Sequence, residues 1–121
     1  MELTTNTREA NGITIISLAG RLRLGDETRA VRDLVKGLVE QDRKLLILEM
    51  GQLEYIDSAG LGALVACFSA VRRSGGSLKL LQVSPQVRGQ LAATRLLTVF
   101  ESFDDEAQAV ASFAQVETAG A

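Results

Sequence analysis

Histidine is absent from this 121-residue chain, and so is tryptophan. Without histidine the commonest general base and the commonest metal ligand are missing, and no Ser-His-Asp arrangement can be assembled. The single cysteine, Cys67, excludes an intramolecular disulfide. It lies in the apolar stretch Ala66-Cys67-Phe68 and reads as a small buried hydrophobe. Aromatic residues make up only 4 % of the chain, so the core has to be aliphatic. Neither sign of charge is in surplus: thirteen basic residues stand against fifteen acidic ones, a net charge of −2. Scattered charge of that kind offers no basic face for counterion release, so nucleic acid is not an expected partner. No apolar run reaches the ~18 residues that span a bilayer. Met1-Glu2-Leu3-Thr4-Thr5 has no basic segment ahead of an apolar one, so no signal peptide is expected. These absences fit a cytoplasmic protein without direct membrane insertion and without a metal or other cofactor.

What is present is a globular balance, 46 % hydrophobic and 23 % charged. The length suits one domain, placed at residues 1–115 with a disordered tail over 116–121. Leu3 to Glu9 and Ile13 to Ala19 read as two strands joined by the turn signal Asn11-Gly12, a hairpin. Gly20 to Gly25 is a connector, and Asp26 can cap the helix that follows. That helix carries Ala30, Val31, Leu34, Val35, Leu38 and Val39 on one stripe. Lys44 to Met50 is a short apolar run, a strand buried on both faces. Gly51 to Ile56 reads as a loop, and Asp57-Ser58 opens a second helix with the stripe Leu61, Leu64, Val65, Phe68 and Val71. Ser74-Gly75-Gly76 ends it. Ser77 to Val83 is a strand, Ser84-Pro85 caps a short helix to about Ala93, and Thr98 to Phe103 is a short edge strand. Asp104-Asp105-Glu106 places negative charge at the start of a last helix, whose buried face is Ala107, Val110, Ala111 and Ala114. Strands alternating with helices predict an α/β fold. The expected sheet is mixed but mostly parallel, of about four to five strands with an N-terminal hairpin, and is covered by about four helices.

Few residues carry chemistry. Asp104, Asp105 and Glu106 are explained by the helix start. Gly60-x-Gly62 has the look of a phosphate cradle but lacks the Walker lysine and the dinucleotide spacing. Asp57 and Ser58 are both ordinary capping residues. Yet a helix that begins after a doubly buried strand starts at the carboxyl end of the sheet, where ligand contacts gather. A phosphate on a hydroxyl there would meet backbone N–H groups and the positive end of the helix.

Taken together, Leu45-Leu46-Ile47-Leu48-Glu49-Met50 followed by Tyr55-Ile56-Asp57-Ser58-Ala59-Gly60-Leu61-Gly62 resembles the signature of STAS domains, and within them the anti-sigma factor antagonists. Gly20-Arg21-Leu22, Gly75-Gly76-x-Leu78-Lys79-Leu80, Val83-Ser84-Pro85-x-Val87 and Leu96-Leu97-x-Val99-Phe100 extend the resemblance over about Leu3 to Phe113. The resemblance implies a non-enzymatic partner switch. The unphosphorylated antagonist binds an anti-sigma factor that is also a serine kinase, which frees a sigma factor. Phosphorylation at the position of Ser58 ends that binding, and a PP2C-type phosphatase reverses it. The partner-binding positions implied are Asp57, Ser58, Ala59, Gly60 and Leu61, together with Arg23 and Asp26 in the connector. The same fold also serves as an accessory subunit of membrane transport complexes or of stress-signalling assemblies, which is the alternative reading.

Three positions depart from the family pattern. Many members carry an aspartate where this chain has Arg23. That arginine is open to pairing with phosphate, to tuning kinase docking or to being an exposed connector residue, with Asp26 as a substitute acid. Glu49 replaces the usual aspartate at the strand end. Ala59 replaces a second serine, leaving Ser58 as the one hydroxyl of that pair.

Overall fold

A computed structural model describes residues 3–120, with side chains described for residues 3–114. The expected tail over 116–121 falls outside the residues so described. The chain runs β1 (Leu3–Ala10), β2 (Ile13–Leu22), α1 (Asp26–Glu40), β3 (Leu45–Ile56), α2 (Ser58–Arg73), β4 (Ser77–Leu81), α3 (Pro85–Ala93), β5 (Ser102–Phe103) and α4 (Glu106–Gly120). The five strands lie side by side in chain order. The β1–β2 pair is antiparallel and every other pair is parallel. The hairpin forms at Asn11 and Gly12, both with positive φ, the twist that a two-residue turn between right-handed strands needs.

Alternation along β2 sends its side chains into two cores. Ile16, Leu18 and Leu22 join the larger one, with Leu46, Leu48, Val31, Val35, Leu61, Leu64, Val71, Val87 and Leu91. Ile13 and Ile15 join Ile47, Leu81, Ala109 and Phe113 in the smaller. Helices α1, α2 and α3 therefore cover one face of the sheet and α4 the other.

Several boundaries differ from the sequence reading. The strands β2 and β3 run on through the presumed connector and loop, and Ala19, Gly20, Arg21 and Leu22 pair with Gln52, Leu53, Tyr55 and Ile56. Two register shifts interrupt this ladder, so the buried residues Met50, Leu53 and Ile56 recur at intervals of three rather than two. That spacing conceals the strand. Helix α1 is capped by Gly25, not by the side chain of Asp26, and Ala30 is exposed. The edge strand β5 shrinks to two residues because Phe100 turns inward, edge-on to Phe68 with centroids 5.1 Å apart. On α4 the buried residues are Ala109 and Phe113, while Ala107, Ala111 and Ala114 are exposed and Val110 lies between. A phenyl ring buries far more area than a methyl group. This ring also receives the buried Lys79 ammonium, 4.5 Å from its centroid.

Candidate functional site

Elongation of β2 and β3 brings their carboxyl ends beside the start of α2. Helix α3 secures that rim by bonding the last carbonyls of β3. Ser84 Oγ donates to the Leu53 carbonyl at 2.9 Å, and Gln90 Nε2 donates to the Ile56 carbonyl at 2.8 Å. Ser84 thus ties the strand down instead of capping its own helix with its hydroxyl.

Asp57 is the N-cap of α2, in extended backbone geometry. One carboxylate oxygen accepts from Gly60 N–H at 2.8 Å, and the other accepts from Leu24 N–H at 3.0 Å. Its own N–H donates to the Leu22 carbonyl at 3.2 Å. The carboxylate thereby locks the β2–α1 connection onto the helix start. These bonds, Leu24 first and Gly60 next, hold the Asp57 carboxyl below the ordinary carboxylate range. Gly60 is required by contact: a Cβ there would lie 2.5 Å from the Leu22 carbonyl oxygen and 2.7 Å from Ile56 Cγ1. Leu61 is buried, and Ala59 partly so.

Ser58 is the first residue of α2 and is exposed. Its hydroxyl has no hydrogen-bond partner among the described residues. Of the two capping candidates, Asp57 does the capping and Ser58 is left with an unengaged nucleophilic group at the positive end of a helix of 16 residues.

The other two expected site residues come from the β2–α1 connection and the start of α1. Arg23 lines an open hollow of about 600 Å³ together with Arg21, Glu54, Tyr55 and Gln86. It follows Leu22, which is fully buried beneath Gly60. Asp26 is exposed and accepts from Arg29 Nη1 at 2.8 Å on its own helix. Two residues outside the expected site set also stand here. Leu24 and Tyr55 are large hydrophobic side chains left 77 % and 46 % exposed, and both flank the Asp57 loop. An isolated leucine between Arg23 and Gly25, in a segment too short for an apolar stripe, was the signal available. Cys67 is buried, and burial pushes its thiol up to about 11. Among the described residues no helix is long and apolar enough to cross a membrane.

Comparison with known proteins agrees with this architecture. The anti-sigma F factor antagonist of Paenibacillus polymyxa is 22 % identical over 110 residues, covering 91 % of this chain and 94 % of that protein. The anti-sigma-B factor antagonist of Bacillus subtilis is 29 % identical over 87 residues, 72 % of this chain and 78 % of that one. The solved structure of the Bacillus cell fate determinant SpoIIAA in its phosphorylated form superposes with a TM-score of 0.70 at 19 % identity. It covers 91 % of this chain and 99 % of that one, a likeness of fold. The STAS domain family pattern matches residues 4–109, and with the five-stranded sheet and helix-capped loop described above, the chain belongs to the STAS domain family.

Proposed function

We propose that this STAS domain is an anti-sigma factor antagonist whose binding is switched by phosphorylation of Ser58. The observation that carries the reading is the division of labour at the start of α2, where Asp57 holds the loop and the exposed Ser58 hydroxyl is spare. The relatives named as anti-sigma factor antagonists support the same role. In the unphosphorylated state, the exposed Ser58 and partly buried Ala59, backed by the buried Gly60 and Leu61 and with Asp57 holding the loop, form a locally rigid docking edge for an anti-sigma factor with serine kinase activity. Leu24 and Tyr55 add apolar area beside it.

A phosphoserine there adds about −1.5 to −2 charges at neutral pH. An interface that accepted a hydroxyl must then desolvate a dianion next to the Asp57 carboxylate. A penalty of roughly 3–4 kcal/mol lowers affinity several hundredfold, with no change of fold needed. The proposed cycle is completed by a PP2C-type phosphatase in the cytoplasm, and the domain itself performs no catalysis.

The test is incubation with a kinase-type anti-sigma factor from the same genome and ATP, read by intact mass. One added phosphate is expected on the native chain and none on Ser58→Ala. A phosphate that persists on Ser58→Ala overturns the site. Calorimetry should show that Ser58→Asp binds the same factor far more weakly, and unchanged affinity overturns the electrostatic release.

A further inference from the structure

A furrow runs between α1 and α2. It holds a cavity of about 230 Å³, lined by Val35 and Val39 of α1, by Ala66 and Cys67 of α2, and by the cations Arg32 and Lys36. A second, shallower hollow of about 330 Å³ shares Arg32 and reaches Leu24 and Gly25. Arg32 borders both, and the second reaches the exposed Leu24, whose N–H is bonded to Asp57.

The walls have a consistent chemistry. On α2 the bordering residues Ala66, Cys67 and Ala70 are small, so a partner backbone can approach closely. On α1, Arg32 and Lys36 are one helical turn apart and exposed. Neither forms an ion pair among the described residues, a state they share with Arg21, Arg72, Arg73 and Arg95. Arg32 is near enough for its charge to act on the Cys67 thiol at the furrow floor. An apolar floor and a cationic bank with the repeat of a helix match an amphipathic helix. Its apolar residues would sit on Val35, Val39 and Ala66, and carboxylates one turn apart would meet Arg32 and Lys36. Across the two hollows the lining residues of α1 run from Thr28 to Val39, about 18 Å or three turns at ~1.5 Å per residue.

We infer that the furrow between α1 and α2 docks an acidic amphipathic helix of the same anti-sigma factor that engages Ser58. This rests on the function proposed above, and it makes the furrow the part of the interface that phosphate on Ser58 does not touch. The furrow selects the partner by charge, and the serine loop releases it.

The experiment measures the dissociation constant for the kinase-type anti-sigma factor used in the Ser58 test, with folding of each variant checked by urea denaturation. The double variant Arg32→Glu/Lys36→Glu is expected to bind at least tenfold more weakly at low salt, and the difference shrinks as salt rises. Ala66→Trp, which fills the floor and leaves the cations in place, is expected to lose at least tenfold as well. A carboxylate-to-lysine change in the partner helix restores binding to the double reversal. Unchanged affinity in both variants overturns the furrow and leaves the serine switch standing, provided Ser58→Asp still weakens binding. Loss in the double reversal alone overturns the furrow in favour of diffuse surface steering. Failure of the native chain to bind the factor at all overturns the switch and the furrow together.

Discussion

The two ends of α2 are built from the same kinds of residue and put them to different use. At the carboxyl end, serine, glycine and lysine groups are all used in closing the chain. Gly76 N–H donates to the Val71 carbonyl at 2.9 Å and Ser74 Oγ donates to the same carbonyl at 2.6 Å. Lys44 Nζ reaches the Ser74 carbonyl at 2.9 Å. Gly75 has the positive φ of a helix terminator. At the amino end, Asp57 alone closes the chain, with both carboxylate oxygens in use, and Ser58 is left over. Serine at the carboxyl end is structural and serine at the amino end is surplus to structure. A polar group that folding does not need is where a switch can be placed without loss of stability.

The comparison breaks first at the glycines. A Cβ on Gly76 would overlap the backbone and side chain of Lys44, and one on Gly60 would collide with Leu22 and Ile56. Gly76→Ala and Gly60→Ala are each expected to cost about 2–3 kcal/mol, the upper range for overpacking, read as a fall in the urea midpoint. Gly62→Ala, on the same helix with open space around it, should instead gain up to ~1 kcal/mol from helix propensity. A uniform effect at all three glycines would refute the contact argument.

Loss of the cap comes next. Asp57→Ala is expected to destabilise by about 1–2 kcal/mol. The Asp57 carboxyl is held low in the folded state, so its contribution is complete above the unfolded carboxyl value near ~4. It disappears as pH falls through the lower folded value. Stability measured from neutral pH down to about pH 3 should therefore fall less steeply in Asp57→Ala than in the native chain. Parallel curves would mean that the carboxylate is not the group holding Leu24.

The smallest effect sharpens the contrast most. Ser58→Ala should change stability by less than about 0.5 kcal/mol, whereas Ser74→Ala, which removes the bond to Val71, should cost about 1 kcal/mol. Equal losses at the two serines would show that Ser58 is structural after all.

Much of this site could be read in the chain before folding. Asp57-Ser58 before an apolar stripe marks a helix start, and Ser74-Gly75-Gly76 marks its end. What could not be read is which residue caps, because aspartate and serine are near-equal N-caps. The choice was made by Leu24 N–H, 33 residues away in sequence, a second donor that meets the other oxygen of the carboxylate that accepts from Gly60 N–H. The extension of β3 was hidden for a related reason, since register shifts against β2 broke the two-residue period. The face buried by α4 was ambiguous because alanines line more than one stripe, and contact with Phe113 and Lys79 decided it.

By itself the sequence determined the order of strands and helices, the aliphatic core and the position of the serine loop, because these depend on local periodicity and turn chemistry. Only the tertiary structure decided that Ser58 is unengaged, that Arg23 joins Arg21, Tyr55 and Gln86, that Asp26 turns to Arg29, and that Arg32 and Lys36 border an apolar furrow. Those outcomes depend on which groups distant in the chain meet at contact distance, and no local pattern encodes that meeting.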